Sequence, residues 1–88
     1  MSTTPADLDQ QLAAIRERLT EVRRAAVELS RDYRRLPMAQ LGVDTLGDAL
    51  TPGEALGNAC DGLDGFIGAL ALADDAASIA QTYTTRLQ

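Results

Sequence analysis

The fold is decided by residues 8–36, LDQQLAAIRERLTEVRRAAVELSRDYRRL, in which apolar side chains recur at alternating spacings of four and three. This spacing over four heptads is typical of a helix that packs lengthwise against other helices. Pro37 lacks an amide hydrogen and disfavours helical geometry at Leu36, so the first helix is predicted over about residues 5–36. The predicted interaction seam comprises Leu8, Leu12, Ile15, Leu19, Val22, Ala26, Leu29, Tyr33 and Leu36.

The same capping device opens two segments of the chain. Thr4 and Thr51 are each followed by Pro and, three residues on, by a carboxylate, which predicts an N-cap and a helix start at both places. Glu54 is long enough to reach back to the Thr51 amide, so the second cap is expected to be the fuller capping box. A second helix is therefore predicted over about residues 52–86, with Leu63, Ile67 and Leu70 facing the first.

Two features of the second segment argue against a regular helix. Gly57, Gly62, Gly65 and Gly68 each cost roughly 0.8 to 1 kcal/mol relative to Ala. Asp74-Asp75 interrupts the apolar stripe, which predicts a break or kink near residues 73–75. The glycines are either a weakness or a surface for close approach of another backbone, and the number of small residues favours close approach. These small residues are Gly65, Ala69, Ala73, Ala76 and Ala80.

Residues 37–51 are expected to form a connector with a short turn of helix, because Leu41, Val43, Leu46 and Leu50 are too apolar for a solvated linker. The predicted fold is thus all-α: residues 1–88 form a single domain, a helical hairpin. If Leu12 and Leu19 occupy the a positions of the heptad, Ile15 and Val22 occupy the d positions. Leu at a with β-branched residues at d disfavours a two-stranded parallel coiled coil. Dimerisation of two hairpins into a four-helix bundle is the expected assembly.

Charge is divided unevenly between the two halves. Residues 1–36 carry seven Arg and six acids, whereas residues 37–88 carry one Arg and seven acids. The complementary signs favour an antiparallel hairpin in which Asp61, Asp64 and Asp74 neutralise basic residues of the first helix. A homomeric contact along the seam in parallel register would instead bring Arg18 towards Arg23 of the neighbouring helix.

Composition argues against most enzymes. The chain has no His and no Lys, which removes the usual general base, the commonest zinc ligand and the lysine of phosphate loops. Cys60 is predicted to be a small core residue rather than a nucleophile. An enzyme that uses the Cys60 thiol is kept as a further hypothesis, behind the two binding functions given below. Asp61 and Asp64 lie three residues apart, but the Glu-x-x-His pattern of di-iron bundles is absent. No catalytic, metal or cofactor site is predicted.

An Arg-rich stretch ends the first helix. Arg24, Arg31, Arg34 and Arg35 are candidate contacts for an anionic partner, either nucleic acid or an acidic protein surface. Cations near a helix C-terminus are also favoured by the helix dipole, and acids are interleaved among them. The acidic chain, with a net charge of −5, makes nucleic acid the less favoured partner.

The longest apolar run, residues 66–73, is too short to span a bilayer, and no basic segment precedes Asp7. A cytoplasmic location is therefore expected, with export without a cleaved signal left open. All eight basic residues are Arg and Ala is abundant, a usage typical of GC-rich bacterial genomes.

A capped helix, an apolar turn and a second helix in about ninety residues resemble the Trp-x-Gly family of helical hairpins exported by type VII secretion. The resemblance covers the architecture of the chain, and it implies a partner-bound, non-enzymatic role in a four-helix dimer. The connector has no Trp and offers only Leu41-Gly42 and Leu46-Gly47 near the turn. Tyr83 is followed four residues later by Leu87, where the family has an acidic residue, so no functional residue is carried over.

The expected function is a non-catalytic protein–protein interaction module, either self-associating or docked on a helical partner. Its seam is predicted to use Leu12, Ile15, Leu19, Val22, Leu29 and Tyr33, together with Leu63, Ile67 and Leu70. The alternative is a small regulator that binds an anionic partner through the Arg-rich end of the first helix.

Overall fold

Two long helices form the part of the chain that the computed structural model describes, residues 3–37 and 51–88. Helix α1 spans Pro5–Arg34 and helix α2 spans Pro52–Thr84. The two helices pack against each other along their length. This is the predicted all-α hairpin, and both helices begin at the predicted residues. The predicted connector turn falls on residues 38–50, outside the described residues.

Each helix ends two residues earlier than the heptad pattern predicts. The Arg35 amide donates to the carbonyls of Arg31 and Asp32 at 3.2 Å, which closes the last turn of α1 ahead of Pro37. Basic side chains lie in that last turn of α1, where the helix dipole favours them. Proline therefore limits the helix, as predicted, but its effect begins one turn before the proline itself.

The capping boxes are the reverse of the prediction. At α1 the Thr4 hydroxyl accepts the Asp7 amide at 3.1 Å and the Thr4 amide donates to the Asp7 carboxylate at 3.2 Å, which completes the box. At α2 the Thr51 hydroxyl accepts the Glu54 amide at 3.1 Å, and within the described residues the reciprocal bond is recorded only at α1. The shorter Asp side chain is thus the one that closes the ring.

Helix α2 is continuous through residues 73–75, so the predicted break there is wrong. The reason is that Asp74 does not interrupt the packed side of the helix. It lies within that side, half-buried, and is paired with Arg16 of α1. A charge inside the stripe is tolerated because its partner is supplied by the facing helix.

Side chains with a 4-3 spacing face inward on both helices. On α1 the inward side chains are Asp9, Leu12, Arg16, Leu19, Ala26 and Ser30, and on α2 they are Leu56, Cys60, Leu63, Ile67, Leu70, Asp74, Ala77, Gln81 and Thr84. Only small residues among them are fully buried: Ala26, Cys60 and Ser30 at 5 to 6 % exposure. These three residues lie late in α1 and early in α2. Their small side chains indicate that the two backbones approach most closely at this end of the hairpin.

The glycines of α2 do not provide that close approach within the hairpin, and close approach of another chain to them stays a prediction. A Cβ atom added at Gly57, Gly62, Gly65 or Gly68 would meet nothing within 4 Å. The small residues Ala69, Ala73, Ala76 and Ala80 are likewise exposed. Within the hairpin the small-residue surface of α2 is therefore open, and Ala26, Ser30 and Cys60 form the close contact instead.

Candidate interaction surface

Three polar contacts between the helices fix their register. Arg16 forms a two-bond pair with Asp74, from Nε to Oδ1 at 3.1 Å and from Nη2 to Oδ2 at 3.4 Å. Towards the end of α1, Arg34 Nη2 lies 2.7 Å from Asp64 Oδ2. At the opposite end, the Thr84 hydroxyl donates to the Asp9 carboxylate. Because residues late in α1 pair with residues early in α2, the hairpin is antiparallel, as the charge pattern predicts.

The Arg16 contact is the central polar interaction of the hairpin. Arg16 Nη1 also donates to Gln81 Oε1 at 2.7 Å, so the guanidinium links two inward positions of α2 that lie seven residues apart, on either side of Ala77. The hydrogen bond from Arg16 lowers the pKa of Asp74, although partial desolvation opposes this effect. The same bond raises the pKa of Arg16. Both groups therefore stay charged at neutral pH, and the pair constrains how α1 can rotate against α2.

The Arg34 pair is more exposed, with about half of each side chain open to solvent. Its hydrogen bond to Asp64 raises the pKa of Arg34. Exposed pairs of this kind contribute little to stability because solvent screens them. The pair does neutralise Arg34, which is one of the cations predicted to contact an anionic partner.

The other candidate cations, Arg24, Arg31 and Arg35, are exposed on α1. Arg24 and Arg31 line a shallow surface groove, and Glu28 lies in the same groove between them. An interleaved carboxylate lowers the affinity of such a surface for anions. The binding of an anionic partner here stays a prediction.

The predicted seam divides into two sets. Leu12 and Leu19 are half-buried on the side that faces α2, as are Leu63, Ile67 and Leu70 on the opposite helix. Ile15, Val22, Leu29 and Tyr33 are exposed instead, at 51, 45, 48 and 39 % respectively. Ile15, Val22 and Leu29 do not lie in the contact between α1 and α2, because Arg16 and Ser30 occupy the inward positions beside Leu12, Leu19 and Ala26. Tyr33 follows Ala26 by seven residues and so continues the inward column at the end of α1.

The exposed part of the seam forms a column along α1 with a spacing of seven residues. Its members are Leu8, Ile15, Val22, Leu29 and Leu36, with exposures between 39 and 55 %. In this column Leu8, Ile15 and Leu29 each immediately precede an inward residue of α1. Helix α2 has a matching column, whose members each immediately precede an inward residue of α2, namely Cys60, Ile67, Asp74 and Gln81. The α2 column consists of Ala59, Phe66, Ala73 and Ala80, and all four are exposed.

Both columns lie on the same side of the hairpin. In an antiparallel pair of helices, equivalent positions relative to the inward residues flank the contact on one side. The register set by the polar contacts brings Ile15 level with Ala80, Val22 level with Ala73, and Leu29 level with Phe66. We call this surface the apolar face and define it by the two columns. The Arg34 pair with Asp64 lies on the opposite side.

Helix α2 also carries apolar side chains on its outer surface. Leu72, Ile79 and Tyr83 are 71, 65 and 63 % exposed. The hydrophobic pattern of the sequence does not by itself identify Phe66 or Leu72 as surface residues. The signal was present, since an apolar residue immediately precedes every second inward position, but it could be recognised only once the inward set was known. These apolar residues are Ile15, Leu29, Phe66, Ala73 and Ala80.

Three further features belong to residues 3–37 and 51–88. No group of three or more His, Cys, Asp or Glu residues in these ranges could hold a metal ion. Neither α1 nor α2 is long and apolar enough to cross a membrane. Cys60 is a free thiol buried between the helices.

Comparison with known proteins gives the chain no relatives. No family model matches it, and no curated protein and no solved structure is significantly similar to it.

Proposed function

We propose that this protein is a non-catalytic helical interaction module that completes its hydrophobic core by packing its apolar face against other helices. The observation that carries the proposal is the lack of a core in the hairpin itself. Among the described residues no large side chain is fully buried, and the buried apolar residues are Ala26 and Cys60. Side chains that would normally fill a core, such as Ile15, Val22 and Phe66, are about half exposed.

The area of the chain supports the same conclusion. The hairpin exposes 6853 Å², whereas a compact monomer of its mass would expose about 5000 Å². Fully burying a large aliphatic or aromatic side chain stabilises a protein by about 1.5 to 3 kcal/mol. A single layer of two helices leaves much of this free energy unused, because each helix can cover only one side of the other.

A four-helix bundle supplies the second layer. Two antiparallel hairpins that stack face to face bury one shared core between four helices. The apolar face fits this role because it has a column on each helix and runs along most of the length of both. The partner in such a bundle is either a second copy of this chain or another helical protein with a complementary face.

The proposal is tested by placing a charge at the centre of the apolar face. Val22→Asp puts a carboxylate on a side chain that is 45 % exposed in the hairpin, so the contact between α1 and α2 is little affected. Ala14→Asp is the matched control, since it adds the same charge to the same helix at an exposed position on the side away from α2. We expect Val22→Asp to lower the assembled mass or the melting temperature and Ala14→Asp to change neither.

Circular dichroism melting and sedimentation velocity at equal protein concentrations measure both quantities. If Val22→Asp melts and sediments as the unsubstituted chain does, the apolar face needs no covering and the proposal is wrong. If both variants fail equally, the loss comes from added charge rather than from this face, which also contradicts the proposal.

A further inference from the structure

A hole of side-chain size lies at the end of α1 on the apolar face. Leu29, Asp32, Tyr33 and Leu36 line a mainly apolar recess of about 190 Å³. Leu29, Asp32 and Tyr33 lie in the last turns of α1, and Leu36, two residues beyond the end of the helix, closes the recess. Three of the walls thus come from one side of one helix, as in the hole that receives a side chain from a facing helix in knobs-into-holes packing. A protein cavity of about 150 Å³ accommodates benzene. The recess is therefore large enough for a phenyl ring.

The chain has one Phe, and it lies on the same face at the same level. Phe66 is 49 % exposed, and the register of the hairpin places it level with Leu29. Side chains on a helix lean towards its N-terminus, so Phe66 covers the turn before it, which is level with Asp32 and Tyr33. Within the described residues, Phe66 of the same chain does not line the recess.

We propose that the partner of the apolar face is a second copy of this chain, and that Phe66 of each copy fills the recess on α1 of the other. This inference rests on the proposed function and specifies its partner. A two-fold axis parallel to the helices places α1 of one copy opposite α2 of the other at the same level. Phe66 and the recess then meet twice in one dimer, since the contact is isologous.

The rest of the apolar face is self-complementary in the same arrangement. Ile15 and Val22 are large and lie level with the small residues Ala80 and Ala73. Across the two-fold axis each large side chain therefore lies over a small one of the other copy. Alternation of large and small residues across facing positions is what allows layers to interdigitate without voids.

The area of the face is sufficient for a stable dimer. Helix α1 has 30 residues, so at 1.5 Å per residue it is about 45 Å long. Two helices packed side by side give a face roughly 18 Å wide. The product is about 800 Å² per copy, which is the usual contribution of one partner to a specific interface.

Charge also favours this arrangement over one that places α1 against α1. Asp64 is already paired with Arg34 on the opposite side of the hairpin, and Asp74 is neutralised by Arg16 in the contact between the two columns. Arg18 of α1 then borders the uncharged surface of α2 in the other copy. A contact of α1 with α1 would instead bring like-charged arginines of the two copies towards each other.

The test measures dimer dissociation constants of the full chain by sedimentation velocity over a concentration series. Phe66→Ala removes the side chain that fills the recess and Leu29→Ala removes one wall of it. Leu72→Ala is the matched control, because Leu72 is 71 % exposed on the outer surface of α2. We expect Phe66→Ala and Leu29→Ala each to raise the dissociation constant by about 1000-fold, since two anchors worth about 30-fold each are lost. Leu72→Ala should change it less than about threefold.

An equimolar mixture of the Phe66→Ala and Leu29→Ala chains tests whether the contact is between copies. Their heterodimer keeps one intact Phe66 in one intact recess, whereas each homodimer keeps none. We expect the mixture to dimerise about 30-fold more tightly than either variant alone. Association of the mixture at the average of the two variants would overturn the inference, as would equal effects of Leu72→Ala and Leu29→Ala in a dimeric protein.

A monomeric unsubstituted chain would also overturn the inference, and its folding would then show whether the proposed function fails with it. A monomer that binds a hydrophobic dye and melts without cooperativity has an uncovered face, so the interaction module would stand with a different helical partner. A monomer that melts cooperatively and binds no dye would contradict both.

Discussion

Replacing glycines of α2 by alanine should stabilise the protein, and the structure shows which glycines are suitable. An added Cβ at Gly57 or Gly68 meets nothing within 4 Å, and both positions lie away from the apolar face. Alanine is better than glycine in a helix interior by about 0.8 to 1 kcal/mol, because glycine loses more backbone entropy on folding. The Gly57→Ala/Gly68→Ala variant should therefore gain about 1.6 to 2 kcal/mol, since sites this far apart are additive.

For a domain of this size, 1 kcal/mol shifts the melting temperature by roughly 4 to 8 °C. The double variant should melt about 6 to 16 °C higher than the unsubstituted chain in a thermal scan followed by circular dichroism. Both proteins must be compared at one concentration, because the melting temperature of an oligomer depends on it.

Gly62→Ala/Gly65→Ala is the informative comparison. These positions are equally open in the hairpin, but they lie on the side of α2 that continues from the apolar face to the outer surface. If this variant gains as much free energy of unfolding as Gly57→Ala/Gly68→Ala, nothing approaches this part of α2 in the assembled protein. A smaller gain would indicate that another helix contacts α2 at Gly62 or Gly65. If Gly57→Ala/Gly68→Ala itself gave no stabilisation, the assignment of open space around α2 would be refuted.

Three further predictions concern the caps, the half-buried ion pair and the thiol. Thr4→Ala should lower the free energy of unfolding by about 1 kcal/mol and by more than Thr51→Ala does, since the Thr4 cap has two recorded bonds; denaturant unfolding of the two variants measures the difference. Because the pKa of Asp74 is lowered in the folded protein by Arg16, its stabilising contribution is present above about pH 4 and is lost as the pH falls through the lower folded value. Melting curves of Asp74→Asn should accordingly fall less steeply between pH 5 and about pH 2.5 than those of the unsubstituted chain, and parallel curves would count against the pair. Cys60, at 6 % exposure, should react with an aromatic disulfide reagent far more slowly in the folded chain than in denaturant, and equal rates would show that the hairpin opens freely.

The sequence predicted the elements of this fold because the signals for them are local. Thr4-Pro5 and Thr51-Pro52 mark the helix starts through short-range hydrogen bonds and the fixed φ of proline, and both starts are observed. Pro37 likewise marks the end of α1 to within one turn. The antiparallel pairing could also be predicted from the sequence, because the two halves of the chain carry net charges of opposite sign.

The sequence could not determine the rotation of α1 about its own axis. The heptad pattern contains two apolar columns beside one another, one with Leu12, Leu19 and Ala26 and the other with Ile15, Val22 and Leu29. Hydrophobicity alone places both columns in the contact and assigns no inward position to Arg16. Tertiary structure places Arg16 inside, because Asp74 and Gln81 of the other helix satisfy its guanidinium.

That one rotation exposes the second column and so creates the apolar face. The predicted break near Asp74 was wrong for the same reason, since a carboxylate disrupts a packed stripe only when no cation faces it. Local propensity, capping and proline positions thus determined where the helices lie in the chain. Which side of each helix is inward, and therefore which surface is left for a partner, was decided by side chains 58 and 65 residues apart in sequence that meet only when the chain folds.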